Sequence, residues 1–330
     1  MSKKSGIIVL MLIGILLTFY FWNKARSNSR EEVDKIKIGM VTFPGYAPLY
    51  LAEEKGFFEN VDVQLVRIEA IGDLRSAMNS GNIDMYIATP DIFQSTQTQE
   101  PPGTGFLAID ESFGADGIAV TKDVNSMADL KGKKLGAEPG FPPYFILQYM
   151  LNEDGMTLSD IDFKDISSQD AGNAFVAKQL DAVGTYEPYL SKSVELRENS
   201  KILISSSDLK GLIVDIIFAN DDLAKNKPEV LKAVADGWFK AVEYYESNKD
   251  ESMLIMANAF GVSKEEMIEI KSGLSWLNLD ENKNLFKKSN AHNIYTTFNL
   301  VGDILEKNNS NDARVDAADK LTTNIIKLYE

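Results

Sequence analysis

The chain has 330 residues, 44% hydrophobic and 25% charged, with a formal net charge of −15, no cysteine and one histidine, His292. That is the composition of a folded chain long enough for two domains, and its acidic balance excludes a nucleic-acid partner, which requires clustered Lys and Arg. Without cysteine there is no disulfide, thiolate metal site, cysteine nucleophile or lipid-modified cysteine. A lone histidine supports neither a catalytic dyad nor a multi-histidine metal site, so no metal and no cofactor is expected.

Lys3 and Lys4 precede an apolar run from Gly6 to Trp22. Seventeen residues at 1.5 Å rise span roughly 25 Å, just short of a hydrocarbon core of about 30 Å. The run reads as a signal peptide or a signal anchor. Lys24 and Arg26 spoil the small-residue site at Ala25-Arg26-Ser27, which favours an uncleaved anchor. Residues 1–34 are then membrane segment and polar tether, with the rest of the chain outside the cytoplasm.

From Lys35 strand and helix patterns alternate. Lys35 to Val41 is a strand, Pro48 to Lys55 a helix closed by Gly56, and Val61, Val63 and Leu65 mark a second strand. A helix from Asp73 to Ser80 stops at Gly81, and Ile83, Met85 and Ile87 resume the sheet. A second unit repeats this order: strand Lys133 to Ala137, helix Pro143 to Glu153, strand Phe163 to Ile166, helix Asp170 to Lys178, strand Ala182 to Thr185. Strands joined by helical crossovers predict α/β architecture with mostly parallel, helix-covered sheets. Passages between the units fall at Glu111 to Lys122 and Ser205 to Asp215. After Ile216 the chain reads as helical to its end. Leu231, Val234, Trp238, Ala241 and Tyr245 form one amphipathic stripe, which marks Trp238 as core, and Ser263 to Glu266 has the form of a capping box. The expected lobes are 35–115 with 216–330, and 116–215, with the helical tail packed on the first.

The two units also share motifs. Phe43-Pro44-Gly45-Tyr46-Ala47-Pro48 is answered by Glu138-Pro139-Gly140-Phe141-Pro142-Pro143. Gly81-Asn82-Ile83-Asp84 leads to Thr89-Pro90, and Lys178-Gln179-Leu180-Asp181 leads to Tyr186-Glu187-Pro188.

Pro48-Leu49-Tyr50-Leu51-Ala52-Glu53-Glu54-Lys55-Gly56-Phe57-Phe58 resembles the opening of substrate-binding proteins of nitrate/sulfonate/taurine ABC importers. Met127-Ala128-Asp129-Leu130-Lys131-Gly132-Lys133-Lys134 resembles the start of their second lobe. Ala174-Phe175-Val176-Ala177 and Tyr186-Glu187-Pro188-Tyr189 are similar to that lobe's later signature. The resemblance implies a two-lobed type II periplasmic-binding fold that closes on a small molecule and presents it to a membrane permease.

In open α/β sheets ligands lie beyond the carboxyl ends of the strands. That rule selects the loops Thr42 to Ala47, Thr89 to Phe93, Glu138 to Tyr144 and Tyr186 to Tyr189, none of which contains Lys or Arg. Helix amino termini at Pro48 and Pro143 are expected to hold the anionic end of a ligand through backbone N–H groups. Asp116 and Asp215 in the crossing segments, with Glu138 and Glu187, are expected to hold an amine; the resemblance also implies a ligand-contacting acid near Asp215. The candidate binding residues are Phe43, Gly45, Tyr46, Thr89, Pro90, Asp116, Glu138, Gly140, Phe141, Tyr144, Tyr186, Glu187 and Asp215. The expected function is a monomeric, extracytoplasmic solute receptor for an ABC permease, taking an amine-bearing or zwitterionic organic anion such as taurine. Nitrate is less suited, because the acids would repel it. A thiamine-pyrimidine precursor and a solute-sensing role with a signalling partner are the alternatives. An enzyme of the pyrimidine-synthase type, which the resemblance ties to histidine and a cysteine-rich motif, is disfavoured.

Overall fold

The first two strands of the chain, β1 (Asp34–Met40) and β2 (Val61–Arg67), enclose helix α1 (Ala47–Lys55), and α2 (Ile71–Asn79) leads to β3 (Met85–Ala88). The computed structural model describes residues 33–94, 103–308 and 314–330. The apolar run 6–22 lies outside them; among the described residues no helix is long and apolar enough to cross a membrane. After α3 (Pro90–Gln94) come β4 (Thr104–Ser112), β5 (Asp116–Thr121), β6 (Lys134–Ala137), α4 (Pro142–Glu153), β7 (Asp162–Asp165) and α5 (Ser168–Val176). Then follow β8 (Ala182–Tyr186), α6 (Tyr189–Leu196), β9 (Ser200–Ser205), β10 (Val214–Ala219), α7 (Asp221–Asn226), α8 (Pro228–Ser247), α9 (Lys249–Phe260) and α10 (Lys264–Lys271). The chain ends with β11 (Leu274–Trp276), α11 (Leu279–Leu285), α12 (Ile294–Lys307) and α13 (Ala317–Lys320).

These strands form two sheets, in the orders β11-β4-β10-β3-β1-β2 and β7-β6-β8-β5-β9. The expected α/β class is found, but the sheets are mixed rather than mostly parallel. β1 and β3 are parallel, as are β6 with β7 and with β8. β10 runs antiparallel between β3 and β4, and β5 antiparallel between β8 and β9. The cause is the double crossing of the chain: a strand returning from the other sheet inserts directly beside its neighbours, without the helical crossover that a parallel partner needs. The crossings are stitched together where Ser206 Oγ accepts from Gly114 N–H (2.8 Å) and lies 2.7 Å from Ser112 Oγ.

The repeat seen in the sequence is kept in atomic detail. Lys37 N–H donates to Asp84 Oδ2 at 2.9 Å, and Lys134 N–H to Asp181 Oδ2 at 2.9 Å, the partners being 47 positions apart in each case. The register Ile38↔Met85 on β1 and β3 recurs as Leu135↔Ala182 on β6 and β8. Each pair lies 97 positions beyond its counterpart (37 to 134, 84 to 181). The sheet cores are therefore two versions of one β-α-β-α-β unit.

The tail departs from an all-helical reading. β10 is a central strand, and β11 adds an edge to the first sheet. Nor does the tail serve one sheet alone: α12 places Phe298 in the first core and Val301, Ile304 and Leu305 in the core under the second. The stripe on α8 packs as read, with Trp238 buried and its indole N–H donating to Leu277 O at 2.8 Å. The capping box also forms, Ser263 N–H donating to Glu266 and Glu266 N–H to Ser263 Oγ.

β11 ends opposite Asp110, and beyond it a side chain continues the ladder. The fully buried Asn282 accepts from Ala108 N–H at 3.0 Å and donates to Ala108 O at 2.8 Å. Asn282→Ala leaves both backbone groups of Ala108 without that partner in a dry site and should cost roughly 2–4 kcal/mol. Urea unfolding would show this as a lower midpoint at unchanged slope; a loss below about 0.5 kcal/mol would mean that the side chain is not replacing a strand there.

Candidate functional site

The carboxyl ends of β1, β2 and β3 face those of β6 and β8 across a cavity of about 220 Å³. One wall comes from the first sheet: Val41, Thr42, Phe43 and Tyr46 after β1, Glu69 after β2, Thr89 and Ile92 after β3, with Ile213 and Asp215 at β10. The other comes from the second: Asp116 on β5, Glu138, Phe141 and Pro142 after β6, and Tyr186 closing β8. Asp116 and Tyr186 are cross-strand partners, which fixes their spacing.

Of the residues expected from sequence, Phe43, Tyr46, Thr89, Asp116, Glu138, Phe141, Tyr186 and Asp215 line this cavity, and five do not. Gly45 lies behind the wall: a Cβ there would sit 2.7 Å from Asp110 Oδ2, so the residue is small because the turn presses on a buried carboxyl. Gly140 serves its turn instead, with φ +86 and open space around it. Pro90 opens α3 and is buried. Tyr144 packs on Phe163, ring centroids 5.5 Å apart. Glu187 caps α6, accepting from Ser191 N–H at 3.2 Å and Ser191 Oγ at 2.6 Å. Glu69 and Ile213 fall outside the four loops named from sequence. The strand-end rule, applied to β2 as well, would have found Glu69.

The helix-terminus expectation fails on chemistry. Pro44, Pro48, Pro142 and Pro143 have no N–H to offer. The next donors are already used: Tyr46 N–H goes to Phe43 O, Tyr144 and Phe145 N–H to Phe141 O. The turns thus spend these donors on their own carbonyls.

What fills the site is acid. Every charged residue in its lining is Asp or Glu. The two nearer its mouth are engaged: Glu69 accepts from Thr42 N–H and Oγ1, and Glu138 accepts from Ser168 N–H. The two at its floor, Asp116 and Asp215, are buried. Asp215 Oδ1 accepts from the Tyr46 hydroxyl at 2.7 Å, and Asp116 Oδ2 from Ser112 Oγ at 2.6 Å. Behind them Asp110, opposite Asp215 in the β4–β10 register, is fully buried with no hydrogen bond to either carboxyl oxygen.

Burial drives the four buried aspartates near the floor upward, reinforced by neighbouring carboxylates at Asp110, Asp116 and Asp215. Asp215 reaches about 8, with Asp116 and Asp91 adding to the effect of burial against the Tyr46 hydrogen bond. Asp116 reaches about 7, with Asp91 and Glu187 adding and Ser112 opposing. Burial takes Asp91 to about 6. Asp110 is raised well above the ordinary range by burial, then by Asp215 and Asp116, with Lys271 partly opposing. Burial and Asp215 likewise raise the Tyr46 phenol, which stays the donor. Aromatic rings complete the walls in two pairs. Phe43 and Tyr46 meet edge to face at 5.3 Å, and Phe141 and Tyr186 stack at 6.1 Å.

The match to known proteins agrees with this architecture. The NMT1/THI5-like family profile covers residues 43–252, and the chain belongs to that family. It is 26% identical over 250 residues to a binding protein of Brucella abortus (strain 2308), spanning 73% of this chain and 76% of that one. It is 25% identical over 262 residues to the aliphatic sulfonates-binding protein of Escherichia coli (strain K12), spanning 78% and 80%. The crystal structure of the E. coli periplasmic aliphatic sulphonate binding protein SsuA superposes with a TM-score of 0.72 at 19% identity, covering 88% of this chain and 92% of that one. The kinship with importer binding proteins read from the sequence therefore stands, and so does the two-sheet binding-protein fold. That fold is shared by an enzyme, the desulfurization enzyme DSZB (TM-score 0.60, 14% identity, 89% and 98% covered), so fold alone does not assign function.

Raised carboxyl values tie stability to pH. The native protein keeps protons on Asp91, Asp116 and Asp215 that the unfolded chain releases near pH 4, so their stabilising contribution is complete below about pH 4. It is lost as pH rises through the folded values of about 6, 7 and 8. The thermal midpoint of the empty protein should fall by roughly several degrees between about pH 5 and 8.5. The double variant Asp116→Asn with Asp215→Asn should flatten the curve. A midpoint that climbs over this interval would contradict the buried-acid cluster.

Proposed function

We propose that this chain is the solute-binding component of an ABC importer, working outside the cytoplasm as a monomer and held near its permease by the apolar segment 6–22. The division into lobes 35–115 with 216–330, and 116–215, supplies the two jaws, and the cavity residues contributed by both make the capture site. The observation that carries this reading is the paired construction of the cavity: two acids and one aromatic pair from each sheet, gathered at the strand ends. Ligand touching both walls favours the closed state through contacts that the open state lacks. The volume, below the roughly 300–1,000 Å³ of drug-sized sites, suits a small solute.

The solute is amine-bearing: the floor acids accept N–H donors, and the relatives' family supports small organic molecules as cargo. Taurine-like zwitterions and a thiamine-pyrimidine precursor are two such amine-bearing solutes, and charge separates them: only the first carries an anionic end. A pyrimidine-synthase activity finds no support, because His292 is exposed and absent from the cavity lining. A sensing role differs in its downstream partner and leaves the capture step unchanged.

Thermal-shift screening of aliphatic sulfonates, taurine, amines and pyrimidines on the full chain should give a hit. Phe43→Ala and Tyr186→Ala, from opposite walls, should each weaken that hit by roughly tenfold or more in calorimetry, as loss of a packed aromatic predicts. A hit sensitive to one wall alone would argue against capture between lobes.

A further inference from the structure

We infer that the cavity selects an organic cation with N–H donors, a primary ammonium or an amidinium on a flat apolar body, and excludes sulfonates and taurine-like zwitterions. This rests on the solute-capture reading and narrows its ligand. The acids carry the first part of the argument. Asp116 and Asp215 are each 3% exposed, line the cavity from opposite sheets, and use only one oxygen each on a protein donor. Oδ1 of Asp116 and Oδ2 of Asp215 thus remain acceptors without a protein donor, in a lining that holds no Lys or Arg to compensate them. Glu69 and Glu138 add negative charge nearer the mouth, and Asp91 adds more behind the floor.

The second part is the absence of anion chemistry. A sulfonate or carboxylate is held by cationic side chains or by free backbone N–H groups. Among the described residues the lining contains neither Lys nor Arg, and the helix starts beside the cavity have prolines at 44, 48, 142 and 143 and spend the N–H groups of Tyr46, Tyr144 and Phe145 on their own turns. A zwitterion would leave its anionic end against carboxylates. A divalent metal is not the answer either, since among the described residues no three acids are grouped to hold one. The aromatic pairs fit an organic cation for a separate reason. Ring faces attract positive charge and pack on flat apolar groups, so Phe43, Tyr46, Phe141 and Tyr186 complement the cation that the acids demand.

The test compares one ring with different charges, on the full chain at about pH 8.5, where the floor acids are ionised. Benzylamine and benzamidine should bind in calorimetry and raise the melting point, while benzyl alcohol, benzenesulfonate and taurine should not. Phenyltrimethylammonium, a cation without N–H, should bind more weakly than benzylamine. Asp215→Asn and Asp116→Asn should each reduce benzylamine affinity roughly tenfold or more. Both variants should fold, because each removes a buried like charge, and their empty-state melting points should equal or exceed the parent's. Benzenesulfonate or taurine binding with the cations silent overturns the charge assignment and leaves solute capture standing. Cation binding indifferent to both variants also overturns it. Silence from every charge class, in a protein that melts cooperatively, removes the capture reading and the cation with it.

Discussion

Two aspartates face each other across the β4–β10 ladder, and much of the site follows from that register. Asp110 and Asp215 are cross-strand partners, both buried, on a face where like charges repel and burial strips their hydration. One of them must stay protonated, and Asp110, with no hydrogen bond to either oxygen, is held furthest from ionising. The neighbouring structure is shaped to tolerate the pair. Gly45 gives its space to Asp110, Tyr46 turns its hydroxyl to Asp215, and Lys271 tempers the field while bonding to Leu274 O. The irregular register between Asp215 and Ile216 lies at the same point. The turn after β1, the floor of the cavity and the edge of the first sheet are thus parts of one electrostatic accommodation.

Duplication explains how such a floor comes to face a second one. Both copies keep the contacts that define the unit: the strand register, the Asp84 and Asp181 carboxylates on backbone N–H, and a glycine pressed by the following Ile83 or Leu180. They diverge where the strands end. At the shared offset, Val41 corresponds to Glu138 and Thr89 to Tyr186, all four in the cavity wall; Glu69, also in the wall, corresponds to Ile166, which is not. The scaffold positions repeat because they solve the same packing problem twice. The wall positions differ because the two walls meet different parts of whatever they enclose.

This division also explains what could be read from sequence. The alternation of strand and helix in each unit, the repeat, the Trp238 stripe and the Ser263 capping box rest on periodicity and local hydrogen bonding, which neighbouring residues determine. The short strand β11 was hidden because three residues between helices carry no periodic signal. β5 and β10 were hidden in or at the end of passages read as crossings, and the direction of a returning strand is decided by the crossing rather than by its own side chains. At the site, the strand-end rule located the loops but could not orient their residues. Glu187 and Tyr144 sit in the right segments and turn to a helix cap and a neighbouring ring instead. Backbone donors were misjudged for a subtler reason: a Pro-rich helix start looks open in sequence, yet it removes its own N–H groups and spends the next ones on short turns.

The distribution of the two floor acids between the sheets links charge to motion. Asp215 belongs to the first sheet and Asp116 to the second, so bringing the walls together brings ionised carboxylates together. Once both acids are ionised, above about pH 8, that repulsion opposes approach in an empty cleft. A cation between the acids reverses the sign of the interaction without any rearrangement of the protein donors. The helix α12 packs into both cores. In the proposed capture cycle ligand charge sets where the equilibrium lies, since a ligand shifts two states only by its differential affinity for them. On this view the high values of Asp116 and Asp215 belong to the empty protein, and they should fall when a cation is bound between them.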